Sequence, residues 1–279
     1  MTAESRAALL ARAIAALRDA GVPGPERDAR LLLREASGLS AARFSTELAA
    51  PPGPEEHERF SAYLAARLAR QPVSQILGRR AFWGRDFRVT PDVLDPRPET
   101  ETLIEIALEG PPRHRVLDLG TGSGILLVTL LAEWPEARGL GVDASLPALE
   151  IARENAARAG VCDRSLLQHG NWLDGITGEF DCVVANPPYI SQSAMAGLAP
   201  ELRDWEPDMA LTPGGDGLDA YRQIATGLAR ILTPRGIALF EIGFDQGESV
   251  PEIFRNAGFC EVSLRHDMNG QPRVVIVQG

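Results

Sequence analysis

The chain has no lysine: all 28 of its basic residues are arginine, a bias of codon usage from which no function follows. Cysteine is nearly as scarce. Cys162, Cys182 and Cys260 are odd in number, far apart and without a Cys-x-x-Cys pair, which excludes a disulfide framework and a zinc site and fits a reducing, cytoplasmic setting. His57, His114, His169 and His266 are equally isolated, so no metal is expected. Long apolar runs are missing too. The longest, Ile125 to Ala132, is far below the roughly 18 residues of a membrane span. Arg6, Arg12, Arg18 and Asp19 interrupt the first helix-like stretch and deny it the continuous apolar region of a signal peptide. No internal repeat or low-complexity segment is present.

Positive charge is in short supply. The net charge is −10, and it is unevenly placed: residues 1–75 carry 10 Arg against 9 Asp and Glu, the remainder 18 against 29. A negative field opposes docking onto a phosphate backbone, so extended duplex nucleic acid is not an expected partner. The exception is Arg79, Arg80, Arg85 and Arg88, a local basic run read as a solvated hairpin.

At 279 residues the chain accommodates a large α/β domain and a small helical one. From Ser5 to about Arg70 apolar residues recur three and four apart, as in Leu9, Leu10, Ile14 and Leu17, and predict a helical bundle over residues 1–74. Gly21 and Pro23 end its first helix. Further helices are expected at Glu26–Ala36, after Ser40, and at Pro54–Arg70. Residues 75–95, with Phe82, Trp83, Phe87 and Val89 around Gly84, read as a linking β-hairpin. Residues 96–279 then alternate strands and helices, beginning with a helix at Glu99–Leu108. Strands are expected at Arg115–Leu119, Leu140–Asp143, Leu166–His169, Cys182–Ala185, Ile237–Ile242, Glu261–Leu264 and Arg273–Val277. Such alternation predicts a mostly parallel seven-stranded sheet covered on both faces. The last two strands are too close for a parallel crossover and should pair antiparallel.

The first of these strands runs into Gly120-Thr121-Gly122-Ser123-Gly124, and Ile125–Glu133 follows as a helix. Glycine permits positive φ and lets a ligand approach the backbone. The G-x-G-x-G spacing departs from the G-x-G-x-x-G of dinucleotide enzymes, which disfavours NAD. Nineteen residues after Gly124, Asp143 ends the second strand, where a carboxylate can accept both hydroxyls of an adenosine ribose. Asp118 can orient the ammonium of a methionine moiety or, alternatively, cap the turn. Asn171 and Trp172 after the third strand can meet an adenine amine and flank its ring, although packing explains the Trp equally well.

Asn186-Pro187-Pro188-Tyr189 follows the fourth strand, 62 residues after Gly124. Neither proline can donate a hydrogen bond. The Asn186 side-chain oxygen and the Pro187 carbonyl are thus available as a pair of acceptors. Such a pair can grip both donors of a planar NH2 group and leave one face of its nitrogen open to a methyl sulfonium. Tyr189 is expected to stack on the planar acceptor.

With these motifs in place the sequence resembles the peptide-chain-release-factor glutamine methyltransferases, the HemK-type family of class I S-adenosylmethionine-dependent methyltransferases, over nearly its whole length. Pro96-Arg97-Pro98-Glu99-Thr100-Glu101 and Trp205-Glu206-Pro207, followed by Ala210-Leu211 and Gly217-Leu218, add to the likeness. The resemblance implies a Rossmann-like seven-stranded domain with an antiparallel last strand, a helical N-terminal domain that grips the substrate, and a linking hairpin. It implies S-adenosylmethionine as cofactor and the glutamine of the Gly-Gly-Gln motif in release factors as methyl acceptor. Asp118, Gly120, Thr121, Gly122, Ser123, Gly124, Asp143, Asn171, Trp172 and Asn186 are the expected cofactor-binding set, and Asn186, Pro187, Pro188 and Tyr189 the catalytic loop. Two departures are Asn171, where the family often has Asp, and Trp205, where Tyr is usual. Arg97 is a candidate contact to the methionine carboxylate or the acceptor protein, with a structural role as the alternative. A monomer is expected. Adenine-specific DNA methyltransferases share the Asn-Pro-Pro-Tyr chemistry but need a basic groove, and a glutamine methyltransferase acting on a ribosomal protein would share both motifs.

Overall fold

The computed structural model describes residues 4–279. They divide after Gly78 into two compact units.

The first unit is helical: α1 (Arg6–Asp19), α2 (Pro25–Ser37), α3 (Ala41–Thr46), α4 (Pro54–Leu68) and α5 (Val73–Leu77). Ser5 caps α1 by accepting from the Ala8 N–H, and Ser40 caps α3 in the same way through Arg43. Leu9, Leu17, Leu32, Leu33, Phe44 and Phe60 form a dry core, each such side chain contributing roughly 1.5–3 kcal/mol. Two ion pairs are sealed against it, Arg6 with Glu56 at 2.6 Å and Arg67 with Asp28 at 2.8 Å. Removing one partner of such a pair costs about 3–5 kcal/mol, because the other charge is left buried. Helix α5 lies where the hairpin was expected to begin. Val73, Ile76 and Leu77 pack on the helical core, and Gly78, at φ +69°, ends the helix.

The second unit opens with the hairpin, β1 (Arg79–Phe82) and β2 (Arg85–Arg88), and continues through α6 (Glu101–Glu109), β3 (Arg115–Leu119), α7 (Ile125–Glu133), β4 (Arg138–Asp143), α8 (Leu146–Arg158), β5 (Ser165–His169) and β6 (Phe180–Ala185). Two short helices, α9 (Pro200–Arg203) and α10 (Asp208–Leu211), interrupt the long connection to α11 (Asp219–Ile231) and β7 (Leu232–Glu241). Then come α12 (Ser249–Asn256), β8 (Val262–His266) and β9 (Pro272–Gln278). The sheet order is β5-β4-β3-β6-β7-β9-β8. β3 to β7 are mutually parallel, and β9 runs antiparallel between β7 and β8. The seven strands and the antiparallel last strand are as the sequence predicted. β7 starts five residues earlier than expected, and the short helices α9 and α10 lie in a connection to which no element had been assigned.

Side chains alternate across the sheet. Val116, Cys182, Val184, Leu239 and Val274 join the apolar layer beneath α6 and α7; Leu117, Val183, Ala185, Phe240 and Val275 join the layer beneath α11 and α12. Both faces are covered, which is why these strands read as continuous apolar runs. The hairpin is tied to this unit by Asn155 on α8. Its Oδ1 accepts from the Arg88 N–H while its Nδ2 donates to the Arg88 and Ser123 carbonyls. All four hairpin arginines meet acids: Arg79 with Asp86, Arg80 with Asp95, Arg85 with Glu133 and Arg88 with Glu154.

Candidate active site

Parallel register brings the ends of β3, β4, β6 and β7 to one level: Leu119 pairs with Val142 and with Ala185, and Ala185 pairs with Phe240. Residues leaving these strands therefore converge beyond the carboxyl edge of the sheet. A cleft opens there. Its wall includes Gly120, Thr121, Gly122, Ser123, Asp143, Asn171, Trp172, Asn186 and Pro188, together with Arg97, Thr100 and Met209.

The glycine loop is held from below. The N–H groups of Gly120 and Thr121 both donate to the Val142 carbonyl, at 2.8 and 3.0 Å. Gly120, Gly122 and Gly124 all have positive φ, +70°, +54° and +80°. A Cβ on Gly120 would stand 3.3 Å from the Trp172 ring, so glycine is needed here both for φ and for room. Trp172 itself sits at φ +48°, and its ring closes over the loop. Asp143 accepts from the Gly122 N–H with one oxygen and from Ser145 with the other, each at 2.8 Å. Burial raises its pKa against those bonds.

Asp118 and Gly124 do not reach the cleft wall. Asp118 is buried behind the loop, where one carboxylate oxygen accepts from the Thr121 hydroxyl at 2.6 Å and from the Leu127 N–H at 3.2 Å. Its Oδ1 has no partner, and burial pushes the carboxyl up to about 7. This placement fits the turn-capping alternative: Asp118 joins the loop to the start of α7. Gly124 begins α7 and packs on α8, where a Cβ would meet Ala152 at 3.2 Å.

At the other end of the cleft Asn186 and Pro188 line the wall while Pro187 is buried. The Asn186 Nδ2 donates to the Thr100 hydroxyl at 3.3 Å, leaving Oδ1 for the cleft. Among the described residues no group donates to that oxygen or to the Pro187 carbonyl. Tyr189 does not face the cleft. Its ring packs on the apolar layer under α11, and burial pushes its hydroxyl up to about 12. The expected stacking on an acceptor is thus replaced by anchorage. The Tyr189 carbonyl accepts from Gln246 Nε2 at 3.0 Å, and Gln246 in turn accepts from the Gly243 N–H. The chain beyond Tyr189 is pinned to the connection before α11, Ile190 N–H to Leu211 and Gln192 N–H to Gly215. Arg97 pairs with the buried Glu206 at 2.6 Å, which fastens the Pro-Arg-Pro segment to the stretch between α9 and α10. Burial pushes the Glu206 carboxyl up to about 7.

Thr100, Gly217 and Gln246 thus support the site without having been singled out by chemistry, Gln246 Nε2 reaching the Gly217 carbonyl as well at 3.4 Å. Thr100 and Gly217 lay inside stretches noted for their resemblance.

Two family models match the chain, the PrmC N-terminal domain over residues 8–78 and the methyltransferase small domain over residues 96–215. A release factor glutamine methyltransferase of Cereibacter sphaeroides is 52% identical, covering 95% of this chain and 95% of its own length. One from Caulobacter vibrioides is 44% identical, with 93% and 91% covered. Among solved structures, a methyltransferase of Pyrococcus furiosus aligns at a TM-score of 0.53 and 17% identity, covering 78% of this chain and 98% of that one. A T. thermophilus 16S rRNA methyltransferase, in complex with AdoMet and guanosine, gives 0.52 at 20% identity, with 72% and 49% covered. At those identities the two structures speak to the fold alone.

Proposed function

Because the chain belongs to the release factor glutamine methyltransferase family, we propose that it methylates the side-chain amide nitrogen of the glutamine in the Gly-Gly-Gln motif of release factors, with Asn186 and Pro187 as the acceptor clamp. It is an S-adenosylmethionine-dependent methyltransferase, and the cleft suits that cofactor. The loop Gly120 to Ser123 clears the approach to the backbone, Asp143 offers lone pairs for ribose hydroxyls, and Trp172 presents a flat apolar face for an adenine ring. Asn171 supplies a polar group beside that ring. Bound there, the cofactor supplies a methyl group activated by a positively charged sulfur.

An amide nitrogen is a poor nucleophile because its lone pair is delocalised into the carbonyl. Asn186 Oδ1 and the Pro187 carbonyl can take both N–H donors of the glutamine side chain, which builds electron density on nitrogen and fixes the plane of the amide. Held in that plane, the nitrogen keeps one face open, and the fixed orientation contributes the proximity part of the rate. The observation that carries this reading is the Asn186 amide at the cleft wall: its nitrogen is spent on Thr100 and its oxygen has no donor among the described residues. Asp118 acts beneath the loop in this scheme, and Tyr189 anchors the clamp through its carbonyl.

The helical unit would contribute to gripping the release factor, and a translation factor as substrate places the reaction in the cytoplasm, with a monomer as the working form. No helix among the described residues is long and apolar enough to cross a membrane. The hairpin arginines, each engaged by an acid, leave little free positive charge for DNA. Incubation with labelled S-adenosylmethionine and, separately, purified release factor, ribosomal protein and duplex DNA tests the proposal. Label on the Gly-Gly-Gln glutamine, located by mass spectrometry, is the expected result. Label confined to ribosomal protein or to DNA would overturn it.

A further inference from the structure

Three stretches of chain from different parts of the sheet unit meet at one side chain, the amide of Gln246 in the turn between β7 and α12. It is 7% exposed, and both of its ends are in use. Oε1 accepts from the Gly243 N–H at 3.0 Å, within its own turn, while Nε2 donates to the Tyr189 carbonyl at 3.0 Å and to the Gly217 carbonyl at 3.4 Å. A further bond, from the Gln246 N–H to the Gly243 carbonyl at 2.9 Å, closes the turn. The amide has one workable orientation: a half-turn would set its oxygen against two carbonyls and its NH2 against an N–H.

The two carbonyls accept from the same nitrogen, so their negative ends converge, and without a donor between them they repel. There is little slack to relieve that. The Gly217 backbone comes so near that a Cβ would stand 2.4 Å from the Tyr189 oxygen. The peptide that joins Tyr189 to Ile190 is held on both sides, its carbonyl by Gln246 and its N–H by the Leu211 carbonyl at 3.0 Å. Upstream, Pro187 and Pro188 have fixed φ, so a displacement of the Tyr189 carbonyl is passed back along the loop and not absorbed by it.

We propose that Gln246 is a positioning residue for methyl transfer: its NH2 group bridges the Tyr189 and Gly217 carbonyls and so sets the direction in which the Pro187 carbonyl meets the acceptor nitrogen. The proposal rests on the reading of Asn186 and Pro187 as the acceptor clamp. It concerns one end of the cleft only. Gln246, Tyr189 and Gly217 stand behind the cleft wall, and the glycine loop at the other end hangs from Val142 and Asp143. Loss of the bridge should therefore slow transfer and leave cofactor binding as it was.

The test measures single-turnover methyl transfer to purified release factor at saturating S-adenosylmethionine, from pH 5.5 to 9, alongside cofactor binding by calorimetry. Gln246→Leu, which fills the space without a donor, should slow transfer at least ~10-fold at every pH while cofactor affinity stays within about threefold. Gln246→Glu keeps the shape and the acceptor for Gly243 but puts an oxygen where the NH2 stood. Ionised, that oxygen opposes the two carbonyls; protonated, it donates again. The ratio of variant to wild-type rate should accordingly rise at least ~5-fold from pH 9 to pH 5.5, whereas a side chain that merely filled space would give a flat ratio. Glu241, Arg273, Arg97, Glu99 and Tyr221 act on Tyr189, and Asp245 adjoins the turn, in both enzymes alike, so the ratio isolates position 246. A flat ratio, at whatever level, overturns the proposal, and so does Gln246→Leu at wild-type rate, provided Asn186→Ala is slow. If Gln246→Leu does not fold, the ratio for Gln246→Glu decides alone. If Asn186→Ala is itself near wild type, the clamp falls and the positioning role with it.

Discussion

Two loops leave the sheet side by side, from Leu119 on β3 and from Ala185 on β6, paired in register and running the same way. One is built on three glycines and the other on two prolines. The glycine loop turns its N–H groups back onto Val142 and Asp143 and carries no Cβ at three of its five positions. The proline loop does the reverse. It has no N–H at two successive positions, leaves Asn186 Oδ1 and the Pro187 carbonyl without a donor among the described residues, and draws its rigidity from Thr100 on Asn186 and Gln246 on Tyr189. A ligand can therefore be bound by removing obstacles at one end and oriented by fixed acceptors at the other. Binding and turnover should separate accordingly.

The largest expected effect tests that separation directly. Asn186→Ala should lose at least ~100-fold in the rate of transfer with only a modest change in cofactor affinity, on the scale of deleting a preorganised polar contact. Asp143→Ala should do the opposite, weakening cofactor binding ~10-fold or more through lost charge-assisted hydrogen bonds, with the rate at saturation less affected. Rapid-quench kinetics and calorimetry on the two variants check the pair. Equal losses of rate and affinity in both would erase the distinction between the loops.

A finer contrast comes from two glycines, Gly217 packed against the proline loop and Gly120 within the glycine loop. At Gly217, φ is +84° and a Cβ would lie 2.4 Å from the Tyr189 carbonyl oxygen, so both backbones must shift. Gly217→Ala should cut the rate by ~10- to 100-fold, the usual cost of displacing a reacting geometry by about 1 Å. At Gly120 the obstacle is a side chain, the Trp172 ring at 3.3 Å. Gly120→Ala should weaken cofactor binding by roughly fivefold, from about 1 kcal/mol of left-handed strain, and leave the saturated rate nearly intact. Steady-state kcat and KM for the cofactor distinguish the two.

The strands, their order of appearance and both motif loops were legible in the sequence because buried parallel strands are unbroken apolar runs and each loop follows one directly. Glycines and prolines announce themselves by what they do to the backbone. What lay beyond reach was contact between distant positions. Thr100 and Asn186 stand 86 residues apart, and Gln246 and Tyr189 57 apart. No local pattern marks a hydroxyl or an amide that will be buried against another loop. At Asp118 the sequence left two readings open, a ligand contact and a turn cap. An acidic residue next to a glycine loop reads as a ligand contact, yet its side chain alternates inward and serves Thr121 and α7. Arg97 is similar, since its partner Glu206 lies in a connection whose short helices carry no long periodic signal.

The smallest expected effect concerns what lies under each loop. Asp118 beneath the glycine loop and Glu241 beneath the proline loop each keep one buried oxygen without a partner, and burial pushes both carboxyls up to about 7. A carboxyl unfolds to a pKa near ~4. For a group raised on folding, the stabilising contribution is complete below the unfolded value and is lost as pH rises toward the folded one. Glu206 and Asp143 shift in the same sense. The lowered carboxyls, Glu26, Glu109, Asp204, Asp216 and Asp267, act below that window, where they protonate. Stability of the cofactor-free protein should therefore fall from about pH 5 to about pH 7 and level off above, the reverse of acid denaturation by salt-bridged carboxylates. Urea midpoints at four pH values across the range check this, and Asp118→Asn and Glu241→Gln should each flatten the slope by one group. A midpoint that climbs through the same window would mean that both carboxyls stay ionised in the folded protein despite their burial.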